Sequence, residues 1–268
     1  MNKRYRLAYL LGVLLLGFIL IISTAALLVF VKKASSTQYP AELSLSKHAY
    51  PNAQAIRVMP LGDSITFGLG TSDLGGYREP LWHKIEADNW NIRFVGSVQS
   101  GPKTLLERAD EGHPGWRIDQ ISAKIVPWLQ ATQPQIILLH IGTNDIIQGA
   151  TPELAESRLH YLLNQITVTD PSATVIVAQI IPLERLHRDP AIVAFNNTIP
   201  ALVHTFDMQG KHVSYVDMYR TVPRSDLVDG IHPDAQGYAL MADVWYHALK
   251  PLIMQRHAAL QVSSQPTS

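Results

Sequence analysis

Short apolar runs that alternate with helix patterns constrain the fold of this chain more than any other feature. Five runs lack the alternating polar positions of a half-exposed strand, and continuous runs of this length are typical of strands buried on both faces. They are Ile56 to Leu61, Ile92 to Val95, Gln135 to Ile141, Thr174 to Ile181 and Val213 to Val216. Helix patterns lie between and after them, at Tyr77 to Ala87, Ile118 to Leu129, Pro152 to Ile166, Ala191 to Phe206 and Ala235 to Leu249.

Alternating strands and helices predict an α/β domain over residues 55–254: a five-stranded parallel sheet between two helical layers, a three-layer α/β/α sandwich. Sheets of this kind bind ligands at the carboxyl ends of their strands. Residues 34–54 are polar and carry two prolines, so we predict a linker there. The Ser- and Gln-rich residues 255–268 predict a disordered tail.

Residues 1–33 predict a membrane anchor. An uncharged run from Leu7 to Val31 lies between basic residues on both sides, and about 25 helical residues span roughly 37 Å, enough to cross a bilayer core of ~30 Å. A cleaved signal peptide is the alternative, because Ser23 to Ala26 are small. An anchor predicts a membrane-bound protein with its domain outside the cytoplasm, periplasmic or at the cell surface, whereas cleavage predicts secretion.

Overall composition narrows the partners and the chemistry. The sequence has 22 Lys and Arg and 22 Asp and Glu, a formal net charge of zero, so we expect no nucleic-acid partner. It has no cysteine, which excludes disulfides, a thiol nucleophile and thiolate metal sites.

Four polar clusters follow the predicted strands or lie in the long loops after them. Together they hold a hydroxyl, an imidazole, a carboxylate and an amide, the groups that acyl transfer requires. They are Gly62-Asp63-Ser64, Glu111 to Trp116, Gly142 to Asp145 and Asp229 to Pro233. Each also has a purely structural interpretation, because Asp and Ser favour helix caps and Asp-Gly favours turns.

The four clusters, in this order, resemble the motifs of the SGNH hydrolase superfamily, the GDSL esterases. The stretches RVMPLGDSIT, GGYREPL, EGHPGWRI and DGIHPDAQGYALMA are most similar to carbohydrate esterase family 3, the acetyl xylan esterases. The resemblance implies a flavodoxin-like strand order 2-1-3-4-5, which makes strands one and three neighbours. It implies no metal and no organic cofactor.

The resemblance also assigns roles to individual residues. It makes Ser64 the nucleophile, His232 its general base and Asp229 the carboxylate that orients the imidazole. The donors to the oxyanion would be the N–H of Ser64, the N–H of Gly115 and the side-chain amide of Asn144. Gly112 is an alternative to Gly115, and Asp226 an alternative to Asp229.

Other residues have two interpretations each. Asp63, Tyr77, Arg78 and Trp116 are candidates for substrate contact, but a cap, a helix-start surface position and core packing are open alternatives. Asp145 is predicted to be structural. His113, between Gly and Pro, has the setting of an ordinary loop histidine. We expect the histidines without metal-type spacing to be surface or satisfied core residues: His140, His187, His204, His212 and His247.

The sequence therefore predicts a membrane-tethered serine esterase that removes small acyl groups, O-acetyl on carbohydrate above all. A lysophospholipase or thioesterase of the same fold is one alternative. The other is a catalytically inactive module of this fold that binds a glycan or a protein.

Overall fold

The computed structural model describes residues 55–184 and 189–263. The predicted anchor and linker, residues 1–54, and the last five residues of the predicted tail lie outside these ranges. Within the described ranges no helix combines the length and the apolar character needed to cross a membrane.

A single mostly parallel sheet forms the centre of the described domain. Its strands are β1 Ile56–Gly62, β2 Ile92–Phe94, β3 Val98–Gln99, β4 Ala109–Gly112, β5 Ile136–His140, β6 Thr174–Ala178 and β7 Val213–Val216. The five strands that the apolar runs predict are all present, and they pair in parallel in the order β2-β1-β5-β6-β7. This is the 2-1-3-4-5 order of the flavodoxin-like fold, and it makes β1 and β5 direct neighbours.

Two further strands correct the prediction of a five-stranded, wholly parallel sheet. β4 pairs in parallel with the last two residues of β1, and β3 pairs antiparallel with β4. No apolar run marks β4, because its sequence is Ala-Asp-Glu-Gly. Asp110 and Glu111 are nevertheless fully buried, since hydrogen-bonding partners compensate for the loss of water that burial imposes on a carboxylate.

Eight α-helices occur in the described part of the chain, besides a short 3-10 helix at Arg224–Asp226. They are α1 Ser64–Phe67, α2 Arg78–Ala87, α3 Ile118–Ser122, α4 Ile125–Thr132, α5 Thr143–Ile147, α6 Pro152–Thr169, α7 Asp189–Asp207 and α8 Ala235–Ser263. The single helix predicted from Ile118 to Leu129 is thus two short helices. α8 continues past residue 254, so part of the predicted tail is helical. The short α1 and α5 carry no periodic apolar pattern and were not predicted.

Two apolar cores cover the two faces of the sheet. Helices α3, α4, α6 and α7 pack on one face, where they enclose Met59 and Leu61 of β1. Helices α2 and α8 pack on the other, where they enclose Val58. Burial on both faces confirms the interpretation of the continuous apolar runs.

Arg78 ties the segment after β1 to β4 from within the core. Its side chain is fully buried and lies 3.2 Å from the carboxylate of Asp110. All three of its guanidinium nitrogens donate hydrogen bonds, which is the bidentate and fork geometry that a lysine cannot reproduce. The acceptors are the carbonyl oxygens of Thr66, Phe67, Leu74, Ser100 and Arg108 and the hydroxyl of Ser100.

His140 departs from the expectation of a surface or satisfied core histidine. It ends β5 and is fully buried, yet neither ring nitrogen has a hydrogen-bond partner. Burial lowers the pKa of His140 from its ordinary 6.5 to about 4, because charging the ring would place an unpaired cation in the core.

We predict that Arg78→Lys lowers the free energy of unfolding by about 3 kcal/mol or more, since lysine leaves several buried acceptors without donors. Urea denaturation of the two proteins measures the difference. Arg220→Lys is the matched control, because the Arg220 side chain is 85 % exposed, and we expect it to change stability by no more than about 0.5 kcal/mol. Equal denaturation midpoints for wild type and Arg78→Lys would contradict this account of the core.

We predict that His140 makes the protein less stable as the pH falls. The unfolded chain takes up a proton on this histidine near pH 6.5 and the folded chain only near pH 4, so the loss develops between these values and reaches about 3 kcal/mol. Urea denaturation of wild type and His140→Leu at several pH values isolates the effect, because other titrating groups cancel in the difference. A difference that does not change with pH would show that His140 is not held neutral.

Candidate active site

Ser64 lies where the chain leaves the sheet, between β1 and α1. The preceding Gly62 permits a close approach of β1 to its neighbour: a Cβ at this position would lie 2.1 Å from the carbonyl oxygen of His140 and 2.5 Å from Thr66 Oγ1. Any larger residue would therefore push β5 or α1 away. The glycine places the start of α1 directly beside the end of β5.

Asp63 caps α1 and fixes the orientation of Ser64. Its Oδ1 accepts a hydrogen bond from the N–H of Ile65 at 3.0 Å, as an N-cap residue does. The side chain is fully buried, and burial raises the pKa of Asp63 to about 7, with the nearby Asp145 acting in the same direction. Because it has no exposed surface, Asp63 is not in a position to contact a substrate, which corrects that prediction in favour of the capping alternative.

Three predicted residues form a continuous chain of hydrogen bonds. Ser64 Oγ lies 2.8 Å from His232 Nε2, and His232 Nδ1 lies 2.7 Å from Asp229 Oδ2. Ser64 and His232 are 168 residues apart in sequence. A hydroxyl, an imidazole and a carboxylate in this order can move a proton from the serine to the ring while the carboxylate stabilises the imidazolium.

Hydrogen bonds from the His232 segment hold Asp229 in its ionised form. Asp229 Oδ1 accepts from the N–H groups of Ile231 at 3.0 Å and His232 at 2.8 Å. Partial burial acts to raise the pKa of Asp229, but the hydrogen bonds from the His232 backbone and ring outweigh it, so the pKa lies below its ordinary 3.8. The alternative residue, Asp226, bonds instead to the hydroxyl of its neighbour Ser225.

The loop that carries Asp229 and His232 is braced at both ends. The N–H of Val228 donates to the carbonyl oxygen of His232 at 3.0 Å, which closes the loop on itself. On the far side, Asp234 Oδ1 accepts from the N–H of Gly237 at 2.9 Å and so caps α8. The ring of His232 is therefore presented by a short turn rather than by a free loop.

Asn144 lies close to both neighbouring segments of the site. Its Nδ2 donates to the carbonyl oxygen of Trp116 at 3.0 Å and lies 3.4 Å from Asp63 Oδ2. The first contact orients the amide, whereas the second is at the weak end of the hydrogen-bond range. The residue before Ser64 and the residue after Gly115 thus both lie within hydrogen-bonding distance of the Asn144 amide.

Geometry distinguishes the two glycines of the second cluster. The N–H of Gly112 donates to Asp110 Oδ1 at 2.8 Å, and a Cβ at Gly112 would lie 2.4 Å from the backbone nitrogen of Phe67. Gly115 is exposed, with φ of +80°, and a Cβ there would touch nothing within 4 Å. No hydrogen bond among the described residues uses the N–H of Gly115 or of Ser64 as donor, so both remain available.

Tyr77 and Arg78 do not line the site around Ser64. Both side chains are fully buried, and Arg78 gives its donors to the protein itself, so a substrate reaches neither of them. The predicted substrate contacts, and the alternative of a helix-start surface position, are both wrong for these two residues. In the sequence, Tyr77 and Arg78 have the pattern of a substrate-binding motif, but in the structure both pack in the core next to α1.

Trp116 and Asp145 support the walls of the site. Trp116 is half-buried and packs partly against the apolar core. Asp145 is fully buried; its Oδ2 accepts from the N–H of Ile118 at 2.9 Å and its Oδ1 from Arg158 at 2.7 Å. Burial raises the pKa of Asp145, and these hydrogen bonds act against that rise. Its contacts are structural, as the sequence predicts. No group of metal-binding side chains occurs in the described ranges.

The described domain matches a known family along most of its length. Residues 61–240 match the GDSL-like Lipase/Acylhydrolase family. The chain is 30% identical over 243 residues to a multidomain esterase of Ruminococcus flavefaciens, in an alignment that covers 80% of this chain and 31% of that protein. It therefore spans only about a third of the length of this relative.

Two further proteins are similar to the chain. The thioesterase 1/protease 1/lysophospholipase L1 of Escherichia coli (strain K12) is 26% identical over 204 residues, with 75% of this chain and 86% of that protein covered. The solved structure of a Clostridium thermocellum family 3 carbohydrate esterase superposes with a TM-score of 0.69 and 33% identity, covering 75% of this chain and 98% of the other.

These similarities confirm the resemblance that the four sequence clusters indicated, including the likeness to carbohydrate esterase family 3. The family match begins at the end of β1 and extends into α8, so it includes all four clusters. The chain therefore belongs to the GDSL-like lipase/acylhydrolase family, a family of carboxylic ester hydrolases.

Proposed function

We propose that this protein is a serine esterase that hydrolyses small acyl esters, with O-acetyl groups on carbohydrate as its substrate class. The observation that carries the proposal is the hydrogen-bonded chain from Asp229 through His232 to Ser64, with distances of 2.7 and 2.8 Å. A serine hydroxyl is too weak an acid to attack an ester unaided, and an adjacent imidazole removes that barrier.

The first half of the reaction acylates the serine. His232 Nε2 accepts the proton of Ser64 Oγ as this oxygen bonds to the ester carbonyl carbon, which creates a tetrahedral oxyanion. When the ester bond breaks, the imidazolium gives its proton to the departing sugar oxygen, and the sugar leaves with a free hydroxyl. The acetyl group stays on Ser64.

The second half restores the enzyme. His232 takes a proton from a water molecule, whose oxygen attacks the acetyl carbonyl carbon. The bond to Ser64 Oγ then breaks, Ser64 recovers its proton from His232, and acetate is released. Asp229, whose pKa is lowered, stays ionised throughout and stabilises each imidazolium that forms.

The unused N–H groups of Ser64 and Gly115 and the amide of Asn144 would receive the oxyanion in both halves. Ser64 offers its N–H at the first position of α1, where a helix has no internal acceptor for it. Donors that are oriented in advance stabilise the oxyanion without reorganising, and each contributes about 10²- to 10³-fold in rate.

The proposed substrate class rests on similarity. The structure of the family 3 carbohydrate esterase supports a carbohydrate substrate, whereas the Escherichia coli relative favours a thioester or lysophospholipid as the second candidate. A module that only binds its ligand is disfavoured, because binding alone does not require His232 Nε2 to face Ser64 Oγ.

We predict that the enzyme hydrolyses p-nitrophenyl acetate and acetylated xylan and prefers both to a p-nitrophenyl ester of a long acyl chain. Ser64→Ala should lower kcat at least about 10⁴-fold, and Asn144→Ala should lower it about 10²- to 10³-fold with little change in KM. Ser72→Ala is the matched control, because Ser72 is exposed, and it should retain full activity.

Three outcomes would count against parts of this proposal. Hydrolysis that survives Ser64→Ala would refute the nucleophile. A strong preference for the long chain would favour the lysophospholipase alternative. Inactivity towards every ester, with a folded protein, would favour a module that only binds.

We also propose that the segment from Leu7 to Val31 anchors the enzyme, with the domain outside the cytoplasm. The support is the sequence alone, since this segment lies outside the described residues. The full-length protein should remain in the membrane fraction after alkaline carbonate washing. A mature protein that begins near residue 26 and is recovered in the soluble fraction would identify a cleaved signal peptide instead.

A further inference from the structure

We propose that His113 is a positioning residue: it fixes the turn that aims the N–H of Gly115 at the acyl oxygen. The inference rests on the proposed function, because it assigns a role within the oxyanion site. The sequence suggests only an ordinary loop histidine between Gly112 and Pro114, but the structure gives this side chain a set of contacts that a loop histidine does not need.

A buried carboxylate holds one edge of the His113 ring. His113 Nε2 lies 2.9 Å from Glu111 Oε2, and only 16 % of the His113 side chain is exposed. Glu111 is fully buried and also accepts from the N–H of Ser97 at 2.5 Å and from its hydroxyl at 3.0 Å. The histidine is therefore attached to β4 of the sheet and is largely shielded from solvent.

Two tryptophans stack against the ring. The centroid of His113 lies 4.4 Å from that of Trp116, at an angle of 22°, and 4.7 Å from that of Trp128, at an angle of 4°. Stacked contacts of this kind resist rotation of the ring. Trp116 directly follows Gly115, and Trp128 belongs to α4, so the ring joins the turn to the helical layer.

The backbone of the same residue joins the turn to the nucleophile strand. The N–H of His113 donates to the carbonyl oxygen of Gly62 at 3.0 Å, and the carbonyl oxygen of His113 accepts from the N–H of Trp116 at 3.1 Å. The second bond closes a four-residue turn from His113 to Trp116. Gly115, with φ of +80°, occupies its third position, and Pro114 its second, which is the pattern of a type II turn.

The turn type decides where the N–H of Gly115 points. Type I and type II turns differ by a rotation of roughly 180° of the peptide group between the second and third residues, here Pro114 and Gly115. Both residues are exposed. The carbonyl oxygen of Gly115 accepts from Gln148 at 3.2 Å, an exposed contact. Pro114 and Gly115 favour the type II turn by their sequence, and the anchored His113 holds its first residue in place. Because His113 is anchored at its ring and at its backbone, it selects the orientation that the oxyanion requires.

This role predicts a specific kinetic defect. A misdirected Gly115 N–H removes a donor that acts in the transition state, so kcat should fall about 10- to 100-fold for His113→Ala while KM changes by less than about 3-fold. His113→Gln should recover part of the loss, because its amide N–H can still donate to Glu111. His83→Ala is the matched control, since the His83 side chain is 65 % exposed, and it should leave kcat unchanged.

A transition-state analogue separates positioning from stability. A methyl trifluoromethyl ketone adds to the serine and places an oxyanion in the same donors, so its Ki should rise by the same factor as kcat/KM falls in the full-length His113 variants. Thermal unfolding shows in parallel whether each variant is folded. The activity of Ser64→Ala tests the proposed function separately. Rates are expressed per folded enzyme.

Each outcome then decides the matter. Native kcat in folded His113→Ala, or in His113→Leu should the alanine variant not fold, would overturn the positioning role, because neither side chain can donate to Glu111. So would a Ki that stays at the wild-type value while kcat falls. Activity that survives Ser64→Ala would instead refute the proposed function, whatever the His113 variants do.

Discussion

The close approach of β1 and β5 at Gly62 is the constraint on which the site depends. A side chain at this position would collide with the carbonyl oxygen of His140 at 2.1 Å, so the two strands can end together only with glycine there. Their shared end places α1, which begins at Ser64, beside α5, which carries Asn144. The sequence separation between these two residues is therefore irrelevant to their distance in space.

Around this junction, hydrogen bonds between buried polar groups hold the segments together, whereas apolar packing does so elsewhere in the domain. Arg78 connects the carbonyl oxygens of α1 to Asp110 of β4, and Glu111 of the same strand holds His113. Hydrogen-bonded networks of this kind are directional and therefore define one arrangement, where apolar contacts tolerate several. The start of α1 at Ser64 and the turn of Gly115 are thus both tied to the same short acidic strand.

The sequence predicts much of this architecture, for a physical reason. The strands β1, β2, β5, β6 and β7 bury continuous apolar runs, so pattern alone predicts them, and the strand ends predict where polar clusters meet. The pattern does not predict β4, because the burial of its carboxylates depends on partners far away in sequence. It does not predict the burial of Arg78 for the same reason. Spacing alone does not distinguish Gly112 from Gly115. The three-dimensional structure does, because Asp110 occupies the N–H of Gly112 and the backbone of Phe67 crowds it, whereas Gly115 is open.

The central claim is that Ser64, polarised by His232, attacks the substrate. Treatment with diethyl p-nitrophenyl phosphate tests it most directly, because this reagent phosphorylates an activated serine and leaves ordinary serines unmodified. Mass spectrometry should find one diethylphosphoryl group per chain, peptide mapping should place it on Ser64, and activity should disappear as the label accumulates. A label on another residue, or full activity in protein labelled at Ser64, would contradict the account.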